Sequence, residues 1–132
     1  MRITSGLVAG AAILYAGLAA AQAPVAYRVS FPSPEHRWMQ VEATFADVPA
    51  GTLHVHMSRS SPGRYALHEF AKNVFDVTAT DGRGRVLTPQ RPSLHQWDVN
   101  GHDGTVKLSY RVFGDRTDGT YLSVDATHAH LN

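Results

Sequence analysis

Val106, Leu108, Tyr110 and Val112 alternate with Lys107, Ser109 and Arg111 over the longest unbroken run of its kind in this chain. A period of two puts successive side chains on opposite faces of an extended backbone, so the stretch predicts a half-buried β-strand. One such strand cannot hide its apolar face alone. The rest of the chain must supply further strands or a covering layer.

It supplies strands. From Arg37 onward, Met39, Val41, Ala43 and Phe45 share one face while Gln40, Glu42 and Thr44 share the other, and Leu53, Val55 and Met57 alternate with His54, His56 and Ser58. Pro49-Ala50-Gly51 between them predicts a turn, with the second strand running back beside the first. Val25 to Phe31 alternates loosely and stops at Pro32-Ser33-Pro34, where two backbone donors are missing. Asn73 to Thr80, with Phe75, Val77 and Ala79 on one side, leads into a hairpin at Asp81-Gly82-Arg83-Gly84 and a return strand over Arg85 to Leu87. Ser93 to Val99 sets Leu94, Gln96 and Asp98 against His95, Trp97 and Val99, and Tyr121, Leu122 and Val124 form a last short strand. Tyr65 to Lys72 fits neither period and predicts a short helical turn or an irregular crossing. Strands separated by turns every 8 to 12 residues or so make the fold class all-β, a single antiparallel β-sandwich or curved sheet.

With 132 residues, a formal net charge of +1 and no cysteine, the chain holds one domain, stabilised without disulfides, and lacks the basic bias of a nucleic-acid partner. Its beginning carries an address. Arg2 precedes a small, apolar run from Gly6 to Ala21 that ends Ala19-Ala20-Ala21, which predicts a signal peptide over residues 1–21 with cleavage after Ala21. The run is short and rich in alanine and glycine for a membrane span of about 20 strongly apolar residues. The expected location is therefore exported, periplasmic or extracellular, with membrane attachment only if the signal stays uncleaved. The β domain then occupies residues 24–132.

Several residue sets invite a chemical reading. His68-Glu69 starts the His-Glu-x-x-His pattern, in which two histidines on one helix face hold zinc while the glutamate activates water. Lys72 stands where the second histidine belongs, and an ammonium cannot ligate. His54 and His56 share a strand face, as strand-borne zinc or copper ligands do, and His128 and His130 repeat the spacing. No serine sits in a Gly-x-Ser-x-Gly elbow. Trp38, Trp97 and Tyr65 are candidates for a peptide or glycan platform, although aromatic residues in a small β domain more often fill the core. No catalytic, cofactor-binding or metal residue is assigned on this basis.

The stretch Pro62-Gly63-Arg64-Tyr65, Glu69-Phe70-Ala71 and Asn73-Val74 resembles the central motif of the N-terminal domain of the glycyl aminopeptidase family of zinc metallopeptidases. The likeness extends through Tyr27, Val29 and Phe31, the Asp81-Gly82 hairpin, Trp97 and Val99, Tyr110 and Val112, and the closing Asp125-Ala126-Thr127-His128-Ala129 with Asn132. The resemblance implies an all-β domain that packs beside a thermolysin-like zinc domain, commonly followed by a PDZ domain, in enzymes that remove N-terminal residues, glycine especially. The family's zinc ligands and general base lie outside the region of likeness. No activity and no cofactor are expected of this chain by itself, zinc belonging to the related full-length proteins.

Two roles follow. In the first, the chain is a non-catalytic domain, a fragment or a free-standing copy, that shapes or docks to a catalytic domain or another polypeptide. Its irregular 62–72 segment then supplies the contact, with Arg64, Tyr65, Glu69 and Lys72 as interface residues, and Phe113, Tyr121 and Leu131 form an apolar flank. In the second, it is a free-standing secreted binding module for peptide or glycan, or for metal through His54 and His56.

Overall fold

The computed structural model describes residues 23–131. The expected signal peptide over residues 1–21 and its expected cleavage point lie outside the described residues. Ten strands appear: β1 (Ala26–Ser30), β2 (Trp38–Phe45), β3 (Leu53–His56), β4 (Val74–Asp81), β5 (Val86–Leu87), β6 (Gln90–Ser93), β7 (Gln96–Val99), β8 (Val106–Phe113), β9 (Ser123–Val124) and β10 (Ala129–His130). Two single 3-10 turns, Pro34–His36 and Phe70–Asn73, interrupt them. Among the described residues no helix is long and apolar enough to cross a membrane.

The larger sheet runs β1-β2-β8-β4-β5 and is antiparallel throughout. Its centre is β8, the strand with the cleanest alternation, which pairs with β2 from Trp38↔Phe113 to Phe45↔Val106 and with β4 on its other side. A smaller antiparallel sheet, β3-β7-β6, covers the inner face. Ala43, Ala79, Leu87, Val106 and Leu108 of the large sheet pack with Val99 of the small one, and Trp97 packs with Ala71 and Val74. This is a two-layer β-sandwich.

Three sequence expectations fail for identifiable reasons. The second alternating strand, β3, does not run back beside β2; it pairs with β7, Val55 opposite Trp97. Periodicity states which face a residue takes and says nothing about the neighbouring strand. Ser93 to Val99 is not one strand: Ser93 ends β6, Leu94 and His95 turn the chain, and β7 returns beside β6, whose Pro92 an edge strand tolerates because no ladder donor is needed on its open side. In β4, Phe75, Val77 and Ala79 do not share a side, because a bulge inserts one residue between the pairs Phe75↔Arg111 and Thr78↔Ser109. Asp76 sits at φ 53 within it. The extra residue reverses the alternation, so Val74 and Ala79 are both buried while Phe75 lies outside against Trp38, ring centroids 5.4 Å apart.

Two tight features hold the ends of β8. At the β4–β5 hairpin the Asp81 carboxylate, 1% exposed, accepts from the backbone N–H groups of Arg83 (3.0 Å) and Arg85 (2.8 Å) and from Arg85 Nε (2.9 Å). Burial pushes this carboxyl up, but the Arg85 amide and guanidinium and the Arg83 amide together outweigh it and hold it below its ordinary value. A carboxylate whose folded value is depressed contributes stability above about pH 4, the unfolded value, and loses it as the pH falls through the folded value. The thermal midpoint is therefore expected to drop on acidification below that point, and Asp81→Asn should flatten the drop; an equally steep profile for the variant would refute the assignment. At the other end, Gly114 accepts from Val124 N–H (3.0 Å) and donates to Arg37 O (2.9 Å), clamping β9 and the start of β2 to the end of β8.

Candidate interface

After β3 the chain leaves the small sheet, Met57 N–H still bonded to His95 O at 2.9 Å, and makes an excursion over residues 58–69. Its neck is pinned twice. His68 N–H donates to Arg59 O at 2.8 Å, and the Arg59 guanidinium grips Glu69 through Nε (2.9 Å to Oε1) and Nη2. That hydrogen bond holds the Glu69 carboxyl below its ordinary value against the opposing effect of burial. Glu69 itself takes φ 49, which swings the chain sharply into the 3-10 turn Phe70–Asn73. At the tip, Pro62-Gly63 forms a turn closed by Arg64 N–H to Ser61 O (3.1 Å), Gly63 supplying φ 76.

The four sequence-predicted interface residues divide. Arg64 and Tyr65 stand at the tip, exposed, with no hydrogen bond or ion pair on either side chain among the described residues. Leu67, which the pattern did not single out, is exposed beside them. Glu69 and Lys72 instead build the base. Lys72 Nζ donates to Tyr121 Oη at 3.2 Å and lies 4.9 Å from that ring, while Tyr121 Oη donates to His68 O at 3.1 Å. Phe70 and His68 flank Tyr121 at 5.1 and 5.6 Å. Tyr121 is thereby buried, so the apolar flank expected from Phe113, Tyr121 and Leu131 reduces to Leu131; Phe113 is half-buried against Trp38, 5.1 Å away. Arg59, and the part Tyr121 plays under the loop, escaped the sequence because ion pairs and ring stacks between distant segments leave no local period. The one available hint was opposite charge, Arg59 and Glu69, on the two sides of Pro62-Gly63.

Nor do the chemical candidates assemble. His68 and Glu69 are engaged with Tyr121 and Arg59 in irregular chain just before the 3-10 turn Phe70–Asn73, where the His-Glu-x-x-His pattern needs both ligands on one α-helix. With Lys72 in the second ligand's place, these residues do not fit a zinc centre. His54 and His56 also part company. His54 Nδ1 lies 2.7 Å from Asp98 Oδ1, in a cluster with Gln96, whereas His56 lies beside His95 with ring centroids 6.0 Å apart. Hydrogen bonds from Gln96 and then His54 hold the Asp98 carboxyl below its ordinary value. Among the described residues no group of three or more histidine, aspartate or glutamate side chains is placed to hold a metal. The aromatic platform disperses as well. Trp97 is core, Trp38 lies under Arg111 at 4.5 Å, and Tyr65 stands alone.

Comparison with known proteins agrees with this geometry. No curated protein sequence matches significantly. A crystal structure of an aminopeptidase N family protein from Idiomarina loihiensis shares the fold, with a TM-score of 0.72 at 18% identity over 77% of this chain. The shared part is 17% of that protein's length. The model of the peptidase M61 N-terminal domain matches residues 26–132. The chain belongs to the peptidase M61 N-terminal domain family.

Proposed function

We propose that the chain acts as an exported, non-catalytic domain that docks to a zinc peptidase catalytic domain on another polypeptide segment, with the tip of the 58–69 excursion as the contact. The observation that carries this is the pairing of a rigid neck with a bare tip. Arg59, Glu69, His68 and Tyr121 hold the base, while Arg64, Tyr65 and Leu67 meet solvent. An aromatic and an arginine on a pre-set loop lose little conformational freedom on contact and are the residue types that dominate interface energetics. Export is supported by the leader over residues 1–21. Family membership supports a peptidase catalytic domain as the kind of partner.

The test is capture from the periplasmic fraction with the full chain as bait, its intact mass reporting cleavage after Ala21. Wild type should retain a polypeptide that carries His-Glu-x-x-His, and Arg64→Ala combined with Tyr65→Ala should lose most of it, on the order of tenfold or more for two central contacts. Retention unchanged by the double substitution, or no such polypeptide, removes the proposal. The metal-binding module through His54 and His56 gains no support, since among the described residues no third histidine, aspartate or glutamate is placed with them to complete a metal site.

A further inference from the structure

The large sheet ends in an unprotected edge. Every residue of β1 is exposed, and its inner-face side chains Tyr27 and Val29, followed by Phe31, remain 65%, 42% and 36% exposed because the small sheet does not reach them. They lie on the core side: Tyr27 pairs with Ala43 and Val29 with Val41, both buried. Among the described residues, the other edges of the two layers are guarded. At the far side β5 is two residues long, β6 carries Pro92, and β3 presents His54 and His56. A five-residue edge with an apolar inner row is the kind of feature that sheets normally cover or charge.

We infer that β1 is a self-association edge, and that two copies of this chain join β1 to β1 antiparallel about a two-fold axis through Val29, making one ten-stranded sheet. The register follows from charge. An axis through Arg28 would set Arg28 against itself, and like charges directly opposite are destabilising. An axis through Val29 puts Val29 opposite Val29 of the second copy, Tyr27 opposite its Phe31 and Arg28 opposite its Ser30. The apolar row then becomes continuous across both copies. Pro24 and Pro32 bracket the strand and stop the pairing from spreading. Since each copy spends its open edge on the other, the contact closes as a dimer instead of growing into a fibre. The inference uses different residues from the 58–69 tip and stands independently of the docking role.

Because the chain has no cysteine, a single introduced thiol reports the register cleanly. Directly opposed positions have Cβ atoms about 4.5–5.5 Å apart, near the span that a disulfide closes, whereas diagonal ones lie at about 7–8 Å. On mild oxidation of the full chain, Val29→Cys should give a covalent dimer on a non-reducing gel, and Arg28→Cys should stay mostly monomeric. Sedimentation of wild type should show a monomer–dimer equilibrium in the range of about 100 μM, since a short strand pair makes a small interface. Val29→Lys should abolish it with an unchanged thermal melt, which separates lost pairing from lost fold. A wild type monomeric throughout that range overturns the inference. So does cross-linking of Arg28→Cys equal to or above that of Val29→Cys.

Discussion

Replacing Trp97 with alanine is expected to cost roughly 3–5 kcal/mol, the range for deleting a large buried aromatic. Trp97 is 7% exposed and is the one large side chain of the small sheet that reaches Ala71 and Val74, with Met57, Val77, Tyr110 and Val112 packed around it. Arg91 lies over its outer face, the guanidinium carbon 4.9 Å from the ring centre. Truncation would leave a void where the two layers meet and would free the 3-10 turn that carries Lys72 and Phe70. Against a total of about 5–15 kcal/mol for a small domain, such a loss places the variant near the unfolding threshold at ambient temperature. Denaturant titration followed by near-ultraviolet circular dichroism reads it directly. A midpoint within experimental scatter of wild type would mean that the ring is not the inter-layer wedge assigned to it.

Gly114→Ala is expected to be the second large effect, about 1–3 kcal/mol, for the opposite reason. A methyl group there would meet Leu122 Cγ at 2.6 Å, its Cδ2 at 2.9 Å and its backbone O at 3.1 Å. The side chain of Leu122 can turn aside, but its carbonyl cannot move without disturbing the ladder that binds Val124 to Gly114. The strain should be relieved by shortening the opposing side chain. The double variant Gly114→Ala, Leu122→Ala should therefore be less destabilised than the sum of the two single effects. An additive double variant would show that the backbone carbonyl is the limiting contact.

The sequence disclosed strands wherever one face is buried and the other wet. β8 and β2 were legible because Val106 to Val112 and Met39 to Phe45 keep strict alternation, and each was placed within a residue or two. The hairpin at Asp81-Gly82-Arg83-Gly84 was legible from its turn residues. Pairing was not. β3 has the same pattern as β2, and only the bulk of Val99 and Trp97 on a strand some forty residues later decides where it lies. The candidate interface was half legible for a related reason. Arg64 and Tyr65 follow a Pro-Gly turn and so project, but Glu69 and Lys72 are tied to partners, Arg59 and Tyr121, that no local pattern connects to them.

The central place of β8 has a temporal meaning. Gln40 bonds to Ser109, 69 positions further on, and β4 reaches the sheet through β8 as well. Until residues 106–113 leave the ribosome, the growing chain can form β1 with β2, β4 with β5 and the small sheet β3-β7-β6, and no strand pairing joins the two hairpins into the large sheet. The strand that completes the large sheet follows most of its partners in the chain. Most of the domain is thus synthesised before this sheet can close, a long interval in which the extended segment stays open to a chaperone, and in which the bare β1 edge is exposed to every neighbour.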